Sequence, residues 1–157
     1  MKLKLLVVGK TNKDYVQKGL DDYFSRLQHY ISLDMQVIPQ LKNTKNLSFE
    51  EIISKEGELI LKEIQSYDHV VLLDERGDRF TSKQFADFIE KKRQTSIKRL
   101  TFVVGGAYGF SNQVNKAAHE TISLSNMTFS HQLVRLIFAE QIYRAMTILN
   151  GEPYHHE

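Results

Sequence analysis

Three short stretches of this 157-residue chain carry residue types that could do chemistry. In Gly105-Gly106-Ala-Tyr-Gly109, three glycines in five residues follow an aliphatic run, and glycine is the residue that lets a backbone turn sharply or approach a ligand closely. Leu124-Ser125-Asn126-Met127-Thr128-Phe129 is uncharged and rich in small polar side chains. Such a loop offers backbone N–H and C=O groups to a neutral or zwitterionic ligand and offers no metal ligands. The terminal Tyr154-His155-His156 places a phenol and two imidazoles, all able to exchange protons, where a chain usually frays. Taken alone, the first two stretches are explained equally well as plain strand-to-helix connections.

Other patterns are weaker. Gly9-Lys10-Thr11 has the tail of a phosphate-binding loop, but the glycine required five residues earlier is Lys4, so a strand-to-helix turn is the better reading. The glycine turn lacks the G-x-G-x-x-G order and the following acidic residue of a dinucleotide site, which disfavours a nicotinamide-dependent oxidoreductase. Four of the six histidines (His119, His131, His155, His156) fall after residue 115, yet no pair has zinc-ligand spacing, and no metal is expected. With no cysteine, disulfides, thiolate nucleophiles and Fe–S clusters are excluded, which suits the cytoplasm. The tripeptides starting at Asn46 and Asn126 that spell glycosylation acceptors are then chance matches.

The elements that position these stretches follow from hydrophobic period. Leu3–Val8 is a buried strand ending at Gly9. Tyr15, Val16, Leu20, Tyr23, Phe24 and Leu27 recur at three and four, predicting a helix over 14–27. Strand character returns over 33–38, and Ser48-Phe-Glu-Glu51 caps a second helix striped by Ile52, Ile53, Leu59, Ile60 and Ile64. A third strand over 69–73 leads into a charged loop, 74–80. Thr81 or Ser82 caps a third helix, and 100–104 is a fourth strand. After the glycine turn, Ser111 caps a short helix, and a short strand over 121–124 enters the polar loop. This alternation predicts a single α/β domain with a mainly parallel sheet, helices on both faces and a ligand crevice at the carboxyl ends of the strands.

The last helix, 131–149, is apolar nearly all round, so one side is expected to meet a second copy in a homodimer. Its polar exceptions His131, Arg135, Glu140 and Arg144 are rim charges or site residues, and period alone does not separate the two. Residues 83–139 hold eight Lys and Arg against three carboxylates, although the chain carries only +2 overall. This basic half suits either a phosphate-rich partner or a solvated helix face. No stretch approaches the roughly 20 apolar residues of a membrane span, and the opening MKLKLLVVGK reads as a strand rather than a signal peptide.

Taken in order, the Gly-Gly-x-x-Gly turn, Leu-Ser-x-Met-Thr-Phe before a long apolar helix, and the Pro-Tyr-His terminus resemble the small SPOUT-class RNA methyltransferases. Within that class the chain is similar to the bacterial large-subunit pseudouridine N3-methyltransferases. The likeness spans the whole chain, including LKLLVVGK, Lys55-Glu-Gly57, His131-Gln-Leu-Val-Arg135 and Glu140-Gln-Ile-Tyr-Arg144. It implies one SPOUT domain over 1–157 with a C-terminal trefoil knot over about residues 100–157. It also implies an S-adenosylmethionine pocket in that knot, an obligate dimer, and methylation of a 23S rRNA pseudouridine on the assembled ribosome. Carried over by motif, the cofactor residues are Leu73, Gly105, Gly106 and Leu124 to Phe129. Tyr154, His155 and Arg135 are the catalytic candidates, and Arg144, His131 and His156 the RNA contacts. Ser130 stands where members often carry Pro, and His156 where they commonly carry Arg or Lys. The competing expectation is a non-catalytic dimer that binds RNA or the ribosome.

Overall fold

The computed structural model describes residues 1–156, and Glu157, the last residue of the expected domain, lies outside them. Five strands run in the order β1 (Lys2–Val8), β2 (Leu33–Ile38), β3 (Asp68–Arg79), β4 (Arg99–Val104) and β5 (Glu120–Ser123). They form one sheet, ordered β2-β1-β4-β3-β5 and parallel throughout. Parallel strands covered on both faces should be apolar at nearly every position, and β1 and β4 are buried along almost their whole length.

Five helices supply the cover: α1 (Asp14–Leu27), α2 (Phe49–Glu63), α3 (Ser82–Arg93), α4 (Asn112–Ala117) and α5 (Leu133–Leu149). Alternate residues of β1 divide between the faces. Leu3, Leu5 and Val7 pack with Leu27, Phe85, Phe138 and Ile142 of α1, α3 and α5, whereas Leu6 and Val8 pack with Ile60 of α2 and Val114 of α4. The starts of α2, α3 and α4 are capped as their sequences require. Ser48 Oγ accepts the Glu51 N–H at 3.1 Å, Ser111 Oγ accepts the Val114 N–H at 3.2 Å, and Thr81 forms a reciprocal capping box with Gln84.

One expected boundary fails. The charged loop predicted for 74–80 is, through Arg79, a continuation of β3. After a bulge, Asp78 and Arg79 pair with Ile122 and Ser123 of β5. Glycine at 77 permits this, because a Cβ there would stand 2.6 Å from the backbone N of Ile122. Charge had masked a strand whose outer half is an exposed ribbon rather than a buried run. The parallel order brings the segments that follow β1, β2, β4 and β5, together with the β3 extension, to one edge of the sheet.

Candidate functional site

At that edge the structure opens a cleft of about 660 Å³. Its walls come from the end of β3, the glycine turn, the loop after β5 and the start of α5. Of the cofactor residues expected from sequence, Leu73, Gly105, Gly106, Leu124, Ser125, Met127, Thr128 and Phe129 line it, and Asn126 does not. His131 lines it as well. The polar loop is held by its own small side chains: Ser123 Oγ donates to the Ser125 carbonyl at 2.8 Å, and Ser125 Oγ accepts the Met127 N–H at 3.0 Å.

The glycine turn is fixed from behind. Gly106 N–H donates to Glu56 Oε1 at 2.9 Å, and a Cβ on Gly106 would lie 2.5 Å from that carboxylate. Glu56 is a buried carboxylate on α2, and burial pushes its pKa above the ordinary carboxylate value, with the Gly106 N–H partly opposing the shift. The turn closes through Gly109, whose N–H reaches the Gly106 carbonyl and whose φ of +86° suits glycine. Sequence reading did not single out Glu56. The signal was present, since Glu56 falls on the apolar stripe of Ile52, Ile53 and Ile60, and a carboxylate on a buried face needs a partner.

Charge in the cleft is confined to the β3 extension and is mostly acidic. Asp74 accepts two hydrogen bonds from the Arg76 guanidinium at 3.0 and 3.1 Å, and this pairing holds its pKa below the ordinary value despite partial burial. Glu75 is exposed beside them. With the apolar surface of Leu73, Leu124, Phe129 and Val134, this makes a pocket suited to a flat apolar group joined to a positively charged one.

Arg135 has a task other than the catalytic one expected of it. It is 0% exposed, and its guanidinium donates to the carbonyls of Val8, Gly9 and His131 and to Thr11 Oγ1, all at 2.9 to 3.0 Å. Four of its five N–H donors thereby go to main chain and a neighbouring hydroxyl, so it fastens the end of β1 to the start of α5. The reason is local: β1 ends at a glycine turn whose carbonyls point inward with no strand left to receive them.

The tail lies elsewhere in the protomer. Tyr154 Oη donates to Glu140 Oε1 at 3.1 Å and lies 3.3 Å from Tyr23 Oη; Arg144 donates to Glu140 at 2.5 and 3.0 Å and to His155 Nδ1 at 3.2 Å. Burial and these phenol and carboxylate neighbours push the Tyr154 pKa upward. From Val134 at the cleft to Arg144 is ten residues, about 15 Å of helix. The chain's own tail therefore does not line its own cleft, nor does Arg144. His156 is exposed.

The family model described as "Predicted SPOUT methyltransferase" matches residues 1–155. The chain belongs to the SPOUT methyltransferase family. Three curated relatives, all named "Ribosomal RNA large subunit methyltransferase H", align over the full length of both chains: one from Parabacteroides distasonis at 62% identity, one from Phocaeicola vulgatus at 59%, and one from Bacteroides thetaiotaomicron at 57%. A SPOUT methyltransferase needs a methyl-donor site, and the cleft lined by the glycine turn and the loop after β5 has the volume for a donor of nucleoside size. Among the described residues, no helix is long and apolar enough to cross a membrane, and no group of three or more His, Asp or Glu is placed to hold a metal ion.

Proposed function

We propose that this chain transfers a methyl group from S-adenosylmethionine to N3 of a pseudouridine in 23S ribosomal RNA, acting in the cytoplasm as a homodimer on the assembled ribosome. The full-length likeness to proteins named as large-subunit rRNA methyltransferases carries the reading, and the cleft supports it. Leu73, Leu124, Phe129 and Val134 would hold the adenine, the backbone of Leu124 to Phe129 its polar edges, and Asp74 with Glu75 the positive charge. The reading includes a trefoil knot over about residues 100–157 within a single SPOUT domain, 1–157.

When bound, the cofactor supplies an electrophilic methyl group on sulfur. The chain's residues must then bring N3 in line with it, exclude water and remove the N3 proton. A pseudouridine imide is a weak acid whose conjugate base spreads its charge onto the flanking carbonyl oxygens. Tyr154, kept protonated by its raised pKa, donates a hydrogen bond to such an oxygen. His155 takes the N3 proton after exchanging its bond with Arg144, and Arg144, His131 and His156 contact RNA phosphates. Arg135 takes no part in these steps and holds the wall of the site.

The tail reaches a cleft only if a second copy presents it. α5 supports this arrangement, because it carries Leu133 and Ile137 half-buried yet packed in neither face of the core. A partner docked on that stripe would bring its Tyr154 and His155 toward this cleft.

The test is transfer of labelled methyl from S-adenosylmethionine to purified ribosomes and to free 23S rRNA, each lacking the modification. Label at pseudouridine N3 on ribosomes is expected, and absence of transfer to both overturns the reading. His155→Ala should lower kcat by about a hundredfold or more with S-adenosylmethionine Kd unchanged, and an unchanged kcat would exclude His155 as the base.

A further inference from the structure

Phe49, the first residue of α2, takes no part in the chemistry above. It is 64% exposed and stacks on Tyr108, itself 49% exposed, with ring centroids 4.5 Å apart and a tilt of 31°. Tyr108 sits at the tip of the Gly106–Gly109 turn and lines the cleft, and Phe49 extends the aromatic surface away from it. The turn is held by Glu56 behind Gly106 and by the positive φ of Gly109, so the Tyr108 ring stands on a braced support. The segment leading to Phe49 is basic and polar, with Lys42, Lys45 and Asn46 exposed and no carboxylate from Lys42 to Phe49, while the exposed Glu50 and Glu51 follow on the first turn of α2. Asn43, with φ of +57°, sets the bend into the 3-10 turn that carries Lys45.

From this juxtaposition we infer that the 42–49 segment and Tyr108 form an RNA-docking rim. On it, an unpaired base next to the target nucleotide stacks against Phe49 and Tyr108 while Lys42 and Lys45 meet its phosphates. The inference rests on the rRNA reading above. A base whose N3 is methylated must leave its stack to reach the cleft, and that exposes the face of its neighbour. An exposed aromatic pair with lysines on the segment that leads into it is what a single-stranded segment with one uncovered base finds complementary. A second copy is the less fitting occupant, since the apolar stripe of α5 lies on the opposite face of the sheet from α2.

The experiment uses the full-length chain with ribosomes lacking the modification as substrate, and compares the unaltered enzyme with Phe49→Ala, Phe49→Trp and Lys42→Gln/Lys45→Gln. Phe49→Ala should raise KM for the ribosome about tenfold, as expected when one base–aromatic stack is removed. Its S-adenosylmethionine Kd and sedimentation should stay unchanged, and Phe49→Trp should restore KM. The double lysine variant should flatten the dependence of log KM on log salt by about 0.7 for each phosphate no longer neutralised. An unchanged KM in Phe49→Ala overturns the proposal. So does a matching rise in cofactor Kd, which would place the ring in the cofactor pocket, or a shift to monomer, which would make it an interface between copies. Methyl transfer by the unaltered enzyme with no effect of Phe49→Ala removes this proposal alone, whereas no transfer by the unaltered enzyme removes the rRNA reading and this proposal with it.

Discussion

The two edges of the parallel sheet treat charge in opposite ways. At the amino edge, Asp68 is buried and accepts from the Arg99 guanidinium at 2.5 and 2.9 Å, from Thr101 Oγ1 at 3.1 Å and from the Gln65 N–H at 2.8 Å. Nearby, Glu120 accepts from His69 at 2.6 Å and pairs with Lys92. At the carboxyl edge, Asp74 pairs with Arg76, two residues on and exposed, Glu56 is bonded to a backbone N–H, Glu75 is exposed, and aromatic rings are left uncovered. The carboxylates at the amino edge are tied to side-chain partners 28 to 51 residues away in the chain, whereas at the carboxyl edge the Asp74–Arg76 ion pair is local and exposed on its Arg76 side, and the other polar groups and surfaces stand ready for something outside the fold. Stability is thereby concentrated at one edge and binding at the other.

Arg135 tests the limits of that division, because it lies at the binding edge and serves the fold. Arg135→Met should have the largest effect, a loss of about 3–5 kcal/mol in urea unfolding, since it orphans the inward carbonyls after β1. A loss below about 1 kcal/mol would mean that water replaces the guanidinium. Next comes Asp68→Ala, expected to cost about 3 kcal/mol because it leaves Arg99 unpaired, with cofactor Kd unchanged. If the Kd rises as well, the two edges are coupled and the contrast fails.

Asp68 also gives the contrast a pH signature. Burial alone would raise its pKa, but Arg99, the Gln65 N–H and Thr101 together hold it below the ordinary 3.8. The unfolded chain therefore binds this proton first, and the stability Asp68 contributes is complete above its unfolded pKa and is lost as pH falls through its folded one. Urea midpoints followed downward from about pH 5 should fall more gently in Asp68→Asn than in the unaltered protein.

Glu56→Ala should raise S-adenosylmethionine Kd about tenfold, or about 1.4 kcal/mol, with partial recovery in Glu56→Gln, whose amide oxygen can still accept the Gly106 N–H. An unchanged Kd would show that the glycine turn holds its shape without Glu56. The smallest effect is expected for Gly57→Ala. Its methyl group would collide with Ser111 Oγ, the cap of α4, at a cost of about 1 kcal/mol in thermal unfolding.

Period and caps made most of the fold legible: the helix over 14–27 and the strand over 33–38 match α1 and β2. The β3 extension was hidden because an exposed, charged ribbon lacks the apolar run by which a buried strand is recognised. The glycine turn and the polar loop were readable as local motifs. The partners of Arg135 and Glu56 were not, because the Gly9 carbonyl lies 126 residues from the one and the Gly106 N–H 50 residues from the other, and a helical period can place a charged residue on a buried face without naming the distant group it meets.

The Arg135 clasp also carries a consequence for biosynthesis. It joins the first strand to the last helix, so the Val8 and Gly9 carbonyls receive their donor only after nearly the whole chain has been made. β1 likewise waits for β4, close to a hundred residues later, as its inner neighbour. Long sequence separations of this kind slow folding, and a nascent chain stopped before α5 would leave the face shared with α1 and α3 only partly covered. The cleft is thus a late product of synthesis, closed only once the C-terminal segment has left the tunnel.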